Sequence, residues 1–346
     1  MKILSWNVQG VKKELFSEEL RFIQKSLQPD LVFLLETMVS EANTKRIIPH
    51  LGFPCYDFVN PINHSGGIWV LWNNTNIKAS VLIKEDRAIH MLVFEYLTQS
   101  FSILSGIYAP AQANEKEGFW THLRHLNEVI DMPWCIIGDF NELESPNDKK
   151  GGLPVMSSRL VRLPTFLNDI HASSIPTRGS PYTWKKRVHG HLIYEKLDRA
   201  IGRQDWCELY PDCIVTGGPF TCSDHTYILL NTENRLLNRK RPFFWYQPHW
   251  SNYEAVRHIV RKNWASNHLG SPLFRITRKL HAIKRDLKDW SSQRFGNYKH
   301  QLEKNTEKLK FVESQLLEDP NSPRLNHWFF RLVKQRERLL LFNKRF

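Results

Sequence analysis

The sequence predicts an α/β protein followed by a basic helical extension, and three observations predict it. As far as Leu230, short apolar runs rich in β-branched and aromatic residues alternate with segments of helical periodicity. Beyond Arg235 the periodicity is helical throughout. The charge divides at the same place. Residues 233–346 hold 25 Lys+Arg against 10 Asp+Glu, a net of +15, which leaves −2 of the formal +13 to residues 1–232. The expected division is therefore a domain over 1–232 and a basic helical extension over 233–346.

Taken in order, Lys2-Ile3-Leu4-Ser5-Trp6 reads as a strand that delivers Asn7, with Gly10 after it. A helical pattern over 14–27 follows, then a strand from Asp30 to Leu35 that delivers Glu36 and Thr37. The run Ile103–Ile107 ends in Tyr108-Ala109-Pro110, where proline stops the strand and leaves the phenol at its end. After a helix over 114–131, Trp134-Cys135-Ile136-Ile137 is too short and too β-prone for a helix and ends at Gly138, so Asp139 and Asn141 project from its mouth. A third helix is expected over 157–170. Tyr182–Val188 and Leu192–Leu197 flank His189-Gly190-His191 as a β-hairpin, whose strand carries Lys185, Lys186 and Arg187 beside an aromatic residue. Ser223-Asp224-His225 stands at the entrance to a last strand, Thr226–Leu230.

An Asp-x-Asn after a strand is, alone, an ordinary turn or helix cap, and a lone Asp-His pair an ordinary hydrogen bond. Here Asn7, Glu36, Tyr108, Asp139, Asn141, Asp224 and His225 all recur at strand ends. Carboxylates, amides and one imidazole gathered in this way suit metal-assisted phosphate chemistry.

The ordered set Trp6-Asn7, Leu35-Glu36-Thr37, Tyr108-Ala109-Pro110, Gly138-Asp139-Phe140-Asn141, Lys196-Leu197-Asp198-Arg199 and Ser223-Asp224-His225 resembles the endonuclease/exonuclease/phosphatase superfamily over residues 1 to about 232. Within it, Gly66–Trp72, Gly179–Trp184 and the Arg241-Pro242-Phe243 region are similar to the apurinic-endonuclease-like domain of plant-type non-LTR (LINE-type) retrotransposons. The flanking patterns of the inositol phosphatase and sphingomyelinase branches are not found. The resemblance implies a four-layered α/β sandwich, two mixed β-sheets face to face with outer helices. It further implies a chain truncated before the reverse transcriptase, and an enzyme that nicks DNA to leave a 3′-hydroxyl.

Phosphodiester cleavage needs an activated water, neutralised phosphoryl charge and a stabilised leaving group. Glu36 and Asn7 would hold a divalent cation, Mg2+ with Mn2+ as a substitute, and Asp224 would be a further metal or water-orienting group. Asp139 would deprotonate the attacking water, Asn141 would fix it or a phosphate oxygen, and Tyr108 would donate to the phosphate. His225 as imidazolium would stabilise the pentavalent transition state, and the family pattern makes Asp198 its partner. By the same resemblance Thr183 contacts the phosphate region, and the hairpin bearing Lys185, Lys186 and Arg187 probes the DNA minor groove. Exposed hairpin cations are otherwise simply solubilising.

In the extension, Ile276, Leu280, Ile283, Leu287 and Trp290 form a coiled-coil-like stripe, interrupted by Phe295-Gly296-Asn297. A second stripe runs through Leu302, Leu309, Val312 and Leu316, and Asp319–Pro323 breaks the chain before a last helix over 324–343. These helices would bind DNA, or RNA, by counterion release, or else would be a solvated face over an apolar stripe. Five scattered cysteines without a Cys-x-x-Cys pair argue against a disulfide frame and a zinc site. No apolar run approaches the roughly 20 residues of a membrane span, no signal peptide is expected, and the expected setting is intracellular and nuclear. Three alternatives stay open: a relative acting on RNA ends, a catalytically inactive nucleic-acid-binding relic, and a membrane-surface protein.

Overall fold

The structure, a computed structural model, describes residues 1–62, 66–188, 191–233, 246, 248–291, 293 and 297–344. His189 and Gly190 of the expected turn, Arg241-Pro242-Phe243 and Phe295-Gly296 lie outside the described residues.

The chain begins with β1 (Lys2–Asn7), α1 (Phe16–Leu27), β2 (Leu31–Leu35), α2 (Glu41–Ile47), β3 (Cys55–Val59) and β4 (Ile68–Trp72). A meander follows, β5 (Ile77–Glu85), β6 (Ala88–Glu95) and β7 (Ser100–Tyr108), then α3 (Ala113–Val129) and β8 (Trp134–Asp139). Next come β9 (Lys149–Lys150), α4 (Arg162–Asp169), β10 (Ala172–Ser174) and β11 (Thr177–Arg178). The hairpin β12 (Trp184–Val188) and β13 (His191–Glu195) leads into β14 (Asp198–Arg203), α5 (Gln204–Leu209), β15 (Ile214–Gly217) and β16 (Ile228–Asn231). Helices α6 (Glu254–Ala265), α7 (Pro272–Ser291), α8 (Asn297–Glu318) and α9 (Pro323–Lys344) follow.

Two mixed sheets form the body. One has seven strands in the order β11-β15-β16-β1-β2-β4-β3, the other six in the order β10-β14-β8-β7-β6-β5. Between them Ile3, Phe33, Leu35 and Val70 of the first sheet meet Met91, Leu104, Ile137 and Ala200 of the second. Side chains of α1 cover the outer face of the first sheet, those of α3 and α4 the outer face of the second. Helix, sheet, sheet and helix are the expected four layers. Strands covered on both faces need no polar alternation, and β2, β4 and β8 are buried at every residue.

By packing, the chain divides into two compact units, Met1–Arg235 with Leu309–Val333, and Leu236–Lys308 with Lys334–Phe346. In the first, Leu309, Val312, Leu316, Phe329 and Leu332 bury themselves against Tyr194 and Phe220. In the second, Trp250, Val256 and Leu287 share a small core with Tyr253, Ile259, Ile283 and Trp290. The expected stripe on α7 is thus buried only towards its C-terminal end, while Ile276 and Leu280 are exposed. Among the described residues no helix is long and apolar enough to cross a membrane.

Candidate active site

One end of both sheets supplies the site. β1 ends at Asn7 and Glu36 follows β2 in the first sheet; β7 ends at Tyr108 and β8 at Asp139 in the second. Register brings these ends together: Asp139 pairs with Tyr108 across the parallel β7–β8 ladder and with Asp198 across the antiparallel β8–β14 ladder. Gly138 is what lets β8 run so close to β7. A Cβ there would lie 2.0 Å from the Ile107 carbonyl oxygen, a distance no side chain tolerates. Glu36 and Asn141 both adopt positive φ, 52° and 47°, a conformation uncommon outside glycine and enriched where the chain aims a functional group.

Both Asp139 oxygens carry a donor. Asn7 Nδ2 donates to Oδ2 at 3.0 Å and the Asn141 backbone N–H to Oδ1 at 3.0 Å. The Asn141 side chain is itself tied by Nδ2 to the Ala109 carbonyl at 2.8 Å. His225 Nδ1 sits 2.8 Å from Asp198 Oδ2, while its Nε2 faces Asp139 Oδ2 at 3.8 Å. The Tyr108 hydroxyl donates to Glu36 Oε1. Ser223 Oγ, donating to the Asn7 carbonyl at 2.9 Å, fastens the His225 loop to β1. These residues open onto a cavity of about 700 Å3 that Asn7, Glu36, Tyr108, Asp139, Asn141, Asp224 and His225 all line.

Burial sets the charges. Desolvation, then the Asp198 carboxylate, pushes Asp139 up to about 7 against the opposing His225, Asn7 and Asn141. Burial alone would discharge His225, but the Asp198 and Asp139 carboxylates outweigh it and raise the imidazole to about 9. Near neutral pH the ring is therefore a cation between two carboxyl groups. Burial and the neighbouring Glu36 carboxylate hold the Tyr108 phenol far above its ordinary value, so it remains a donor.

The cavity lining offers oxygen donors of the kind a hard divalent cation takes, the Glu36 and Asp224 carboxylates and the Asn7 amide. Ligand atoms of Asp139, Asp198 and His225 lie within 4.8 Å of one another, and Asp198 Oδ1 is buried without a hydrogen-bond partner. With His225 held protonated, that group is an imidazolium between carboxylates, not a cation's ligand set.

The expected DNA contacts separate. Lys186 and Arg187 stand on the cavity rim and are both exposed. Lys185 lines the cavity too, half-buried, but its ammonium lies over the Phe220 and Phe329 rings, 4.4 and 3.9 Å from their centroids, and burial lowers its pKa to about 8. Thr183 is buried, its Oγ1 accepting the Leu197 and Asp198 N–H groups at 3.0 and 2.8 Å. It anchors the start of β14 behind Asp198 and does not line the cavity.

Four cavity residues have no role in the sequence-based expectation, Trp184 standing there only in the Gly179–Trp184 pattern. Gln9 Nε2 and Trp184 Nε1 each donate to Asp224 Oδ2 at 3.0 Å, and only the nearness of Gln9 to Asn7 hinted at the first. Lys116 bridges the Asn141 carbonyl and Glu142, and Arg159 forks onto Glu195. Arg199, buried beside Asp198, is bound by Asp148 and Glu144 at 2.8 and 3.3 Å. It stood in the Lys196–Arg199 motif without a role.

Solved structures share this architecture. An AP endonuclease from Leishmania major superposes with a TM-score of 0.54 at 17% identity, over 66% of this chain and 86% of its own. The 3′ phosphatase NExo from Neisseria, bound to a product DNA hairpin, gives 0.50 at 14%, over 67% and 98%. The endonuclease domain of TRAS1, a telomere-specific non-LTR retrotransposon, gives 0.49 at 12%, over 66% and 97%. At these identities the likeness is one of fold. No curated protein matches the sequence. The model of the Endonuclease/Exonuclease/phosphatase family matches residues 4–225, more than half the chain and the span that holds every strand-end residue of the site from Asn7 to His225. With that match and the two-sheet frame together, the chain belongs to the endonuclease/exonuclease/phosphatase family.

Proposed function

We propose that this chain is a divalent-metal-dependent DNA endonuclease of non-LTR retrotransposon type, with Asp139, His225 and Asp198 at its centre. The observation that carries the reading is the buried Asp139 carboxylate, held on both oxygens and facing an imidazolium that Asp198 orients. A carboxylate whose pKa stands near neutrality is matched to taking a proton from water. The cation 3.8 Å from it, at His225 Nε2, is matched to the charge that grows on a phosphoryl group.

Each residue then has one task. Asp139 removes the proton from the attacking water, and Asn7 and Asn141 keep its two oxygens from rotating. Tyr108, unable to ionise, donates to a phosphate oxygen. His225 stabilises the pentavalent transition state, and Asp198 keeps it protonated. Glu36, Asn7 and Asp224 are the residues that would hold Mg2+, or Mn2+ in its place, and the ion would neutralise phosphoryl charge when bound. Lys186 and Arg187 at the rim suit a phosphate backbone, in line with the product DNA held by the Neisseria relative. The retrotransposon assignment rests on the Gly66–Trp72 and Gly179–Trp184 patterns.

Nicking of supercoiled plasmid by Asp139→Ala and His225→Ala proteins tests the reading. Each substitution is expected to lower the rate by about a hundredfold or more while circular dichroism and DNA affinity stay close to wild type. Wild-type nicking by either protein would refute the assignment.

A further inference from the structure

The loop that carries Asp224 and His225 is held from two sides. On one side stands β12: the Lys185 N–H donates to the Asp224 carbonyl at 3.0 Å, the Thr226 N–H to the Thr183 carbonyl at 2.8 Å, and Trp184 Nε1 to the Asp224 side chain at 3.0 Å. On the other side stands the end of α8. Glu313 Oε1 accepts the Phe220 N–H at 2.9 Å in a buried bond, and Lys310 Nζ donates to the Gly217 carbonyl at 2.8 Å. The Phe220 ring is buried with Tyr194, Leu309, Val312, Leu316, Phe329 and Leu332. The Lys185 ammonium, over both Phe220 and Phe329, ties β12, the loop and α9 into one cluster.

We propose that residues 309–333 are a working part of the nuclease: they hold loop 217–225 so that His225 meets Asp139, with Glu313 and Phe329 as positioning residues. The catalytic unit therefore extends past the family match, which ends at 225. Without Glu313 the Phe220 N–H would be a buried donor with its acceptor removed, and such a group relaxes by moving the backbone towards water. Phe220 precedes His225 by five residues, so that movement reaches the imidazole. Misplacement of a catalytic group by about 1 Å costs on the order of a hundredfold in rate.

The proposal rests on the nuclease reading for its kinetics, and a second measurement frees it from that dependence. In the full chain, Glu313→Ala is expected to lower kcat for a short duplex by about 10- to 100-fold with KM within about threefold. Glu313→Gln, which keeps an acceptor oxygen, is expected to retain most of the rate, as is Glu318→Gln on the exposed end of the same helix. Hydrogen exchange read by mass spectrometry should be about tenfold faster in peptides covering 217–225 of Glu313→Ala, with β1 and β2 unchanged. Phe329→Leu, a milder change, should loosen the same peptides and lower kcat to a lesser degree. Wild-type exchange over 217–225 in either variant, or a loosened loop with wild-type kcat, would overturn the proposal. If the wild-type chain cleaves no DNA, the nuclease reading fails and exchange alone decides whether the helices hold the loop.

Discussion

In the proposed mechanism Asp139 and His225 carry opposite charges, and their surroundings define when they do. Asp139 is a base above about 7 and His225 an acid below about 9, so the rate should rise through the first value and fall through the second. Asp198 raises both groups. Asp198→Asn should therefore move both limbs of the profile to lower pH, the alkaline limb by a unit or more, because burial then acts on His225 with only Asp139 and Asp224 opposing it. A pH–rate profile of this variant with an unmoved alkaline limb would contradict the electrostatics. At this scale the sequence was informative wherever a residue ends a strand, since the apolar run announces the end. It was silent on the contacts of Gln9 and Trp184, whose shared bond to Asp224 joins positions 9, 184 and 224 with no local pattern among them. At Lys185 it gave no hint of the Phe220 and Phe329 rings, since a cation on a strand looks the same whatever it faces.

At the scale of elements, β1, β2, β7, β8, β16 and the β12–β13 hairpin match expected strands, whereas the buried β4 and β14 and the β5–β6 pair were not expected. β8 is an unbroken apolar run covered on both faces, and its end fixed two site residues. The β5–β6 hairpin has no such signature: its partnership carries an irregularity between Val81 and Ile83, and Leu82 and Ile83 are exposed. The helices expected over 14–27, 114–131 and 324–343 correspond to α1, α3 and α9, whereas the one over 157–170 is a short 3-10 turn, Ser157–Leu160, followed by α4. Gly138 is the element-scale control point, where adding one methyl group must part β7 from β8. Gly138→Ala should cost about 3 kcal/mol or more and lower Tm by about 5 to 10 °C. Calorimetry showing a wild-type Tm would mean that the two strands are not packed as described.

Across the whole molecule, charge pattern and packing divide the chain differently. The sequence places the basic excess in 233–346, yet Leu309–Val333 belongs with Met1–Arg235. An apolar stripe on a helix reveals that one face is buried without revealing what buries it, so this was beyond sequence reasoning. Exposed cations on α7 remain candidates for nucleic-acid binding. Replacing Arg275, Arg278, Lys284 and Lys288 by Gln should leave kcat unchanged and flatten the salt dependence of duplex binding, by about 0.9 in logarithmic slope for each phosphate charge no longer neutralised. Equal slopes for the two proteins would assign those cations to solubility.

In the proposed mechanism a cation bound beside Glu36 serves phosphodiester cleavage at Asp139. Its most direct test is the initial rate of plasmid nicking against Mg2+ concentration for wild type and Glu36→Gln, with excess EDTA as the zero point. Nicking should vanish in EDTA and return with Mg2+ or Mn2+, and Glu36→Gln should need a higher Mg2+ concentration for half-maximal rate because the cation site is one negative charge poorer. Undiminished nicking in EDTA, or an identical Mg2+ dependence in the two proteins, would contradict it.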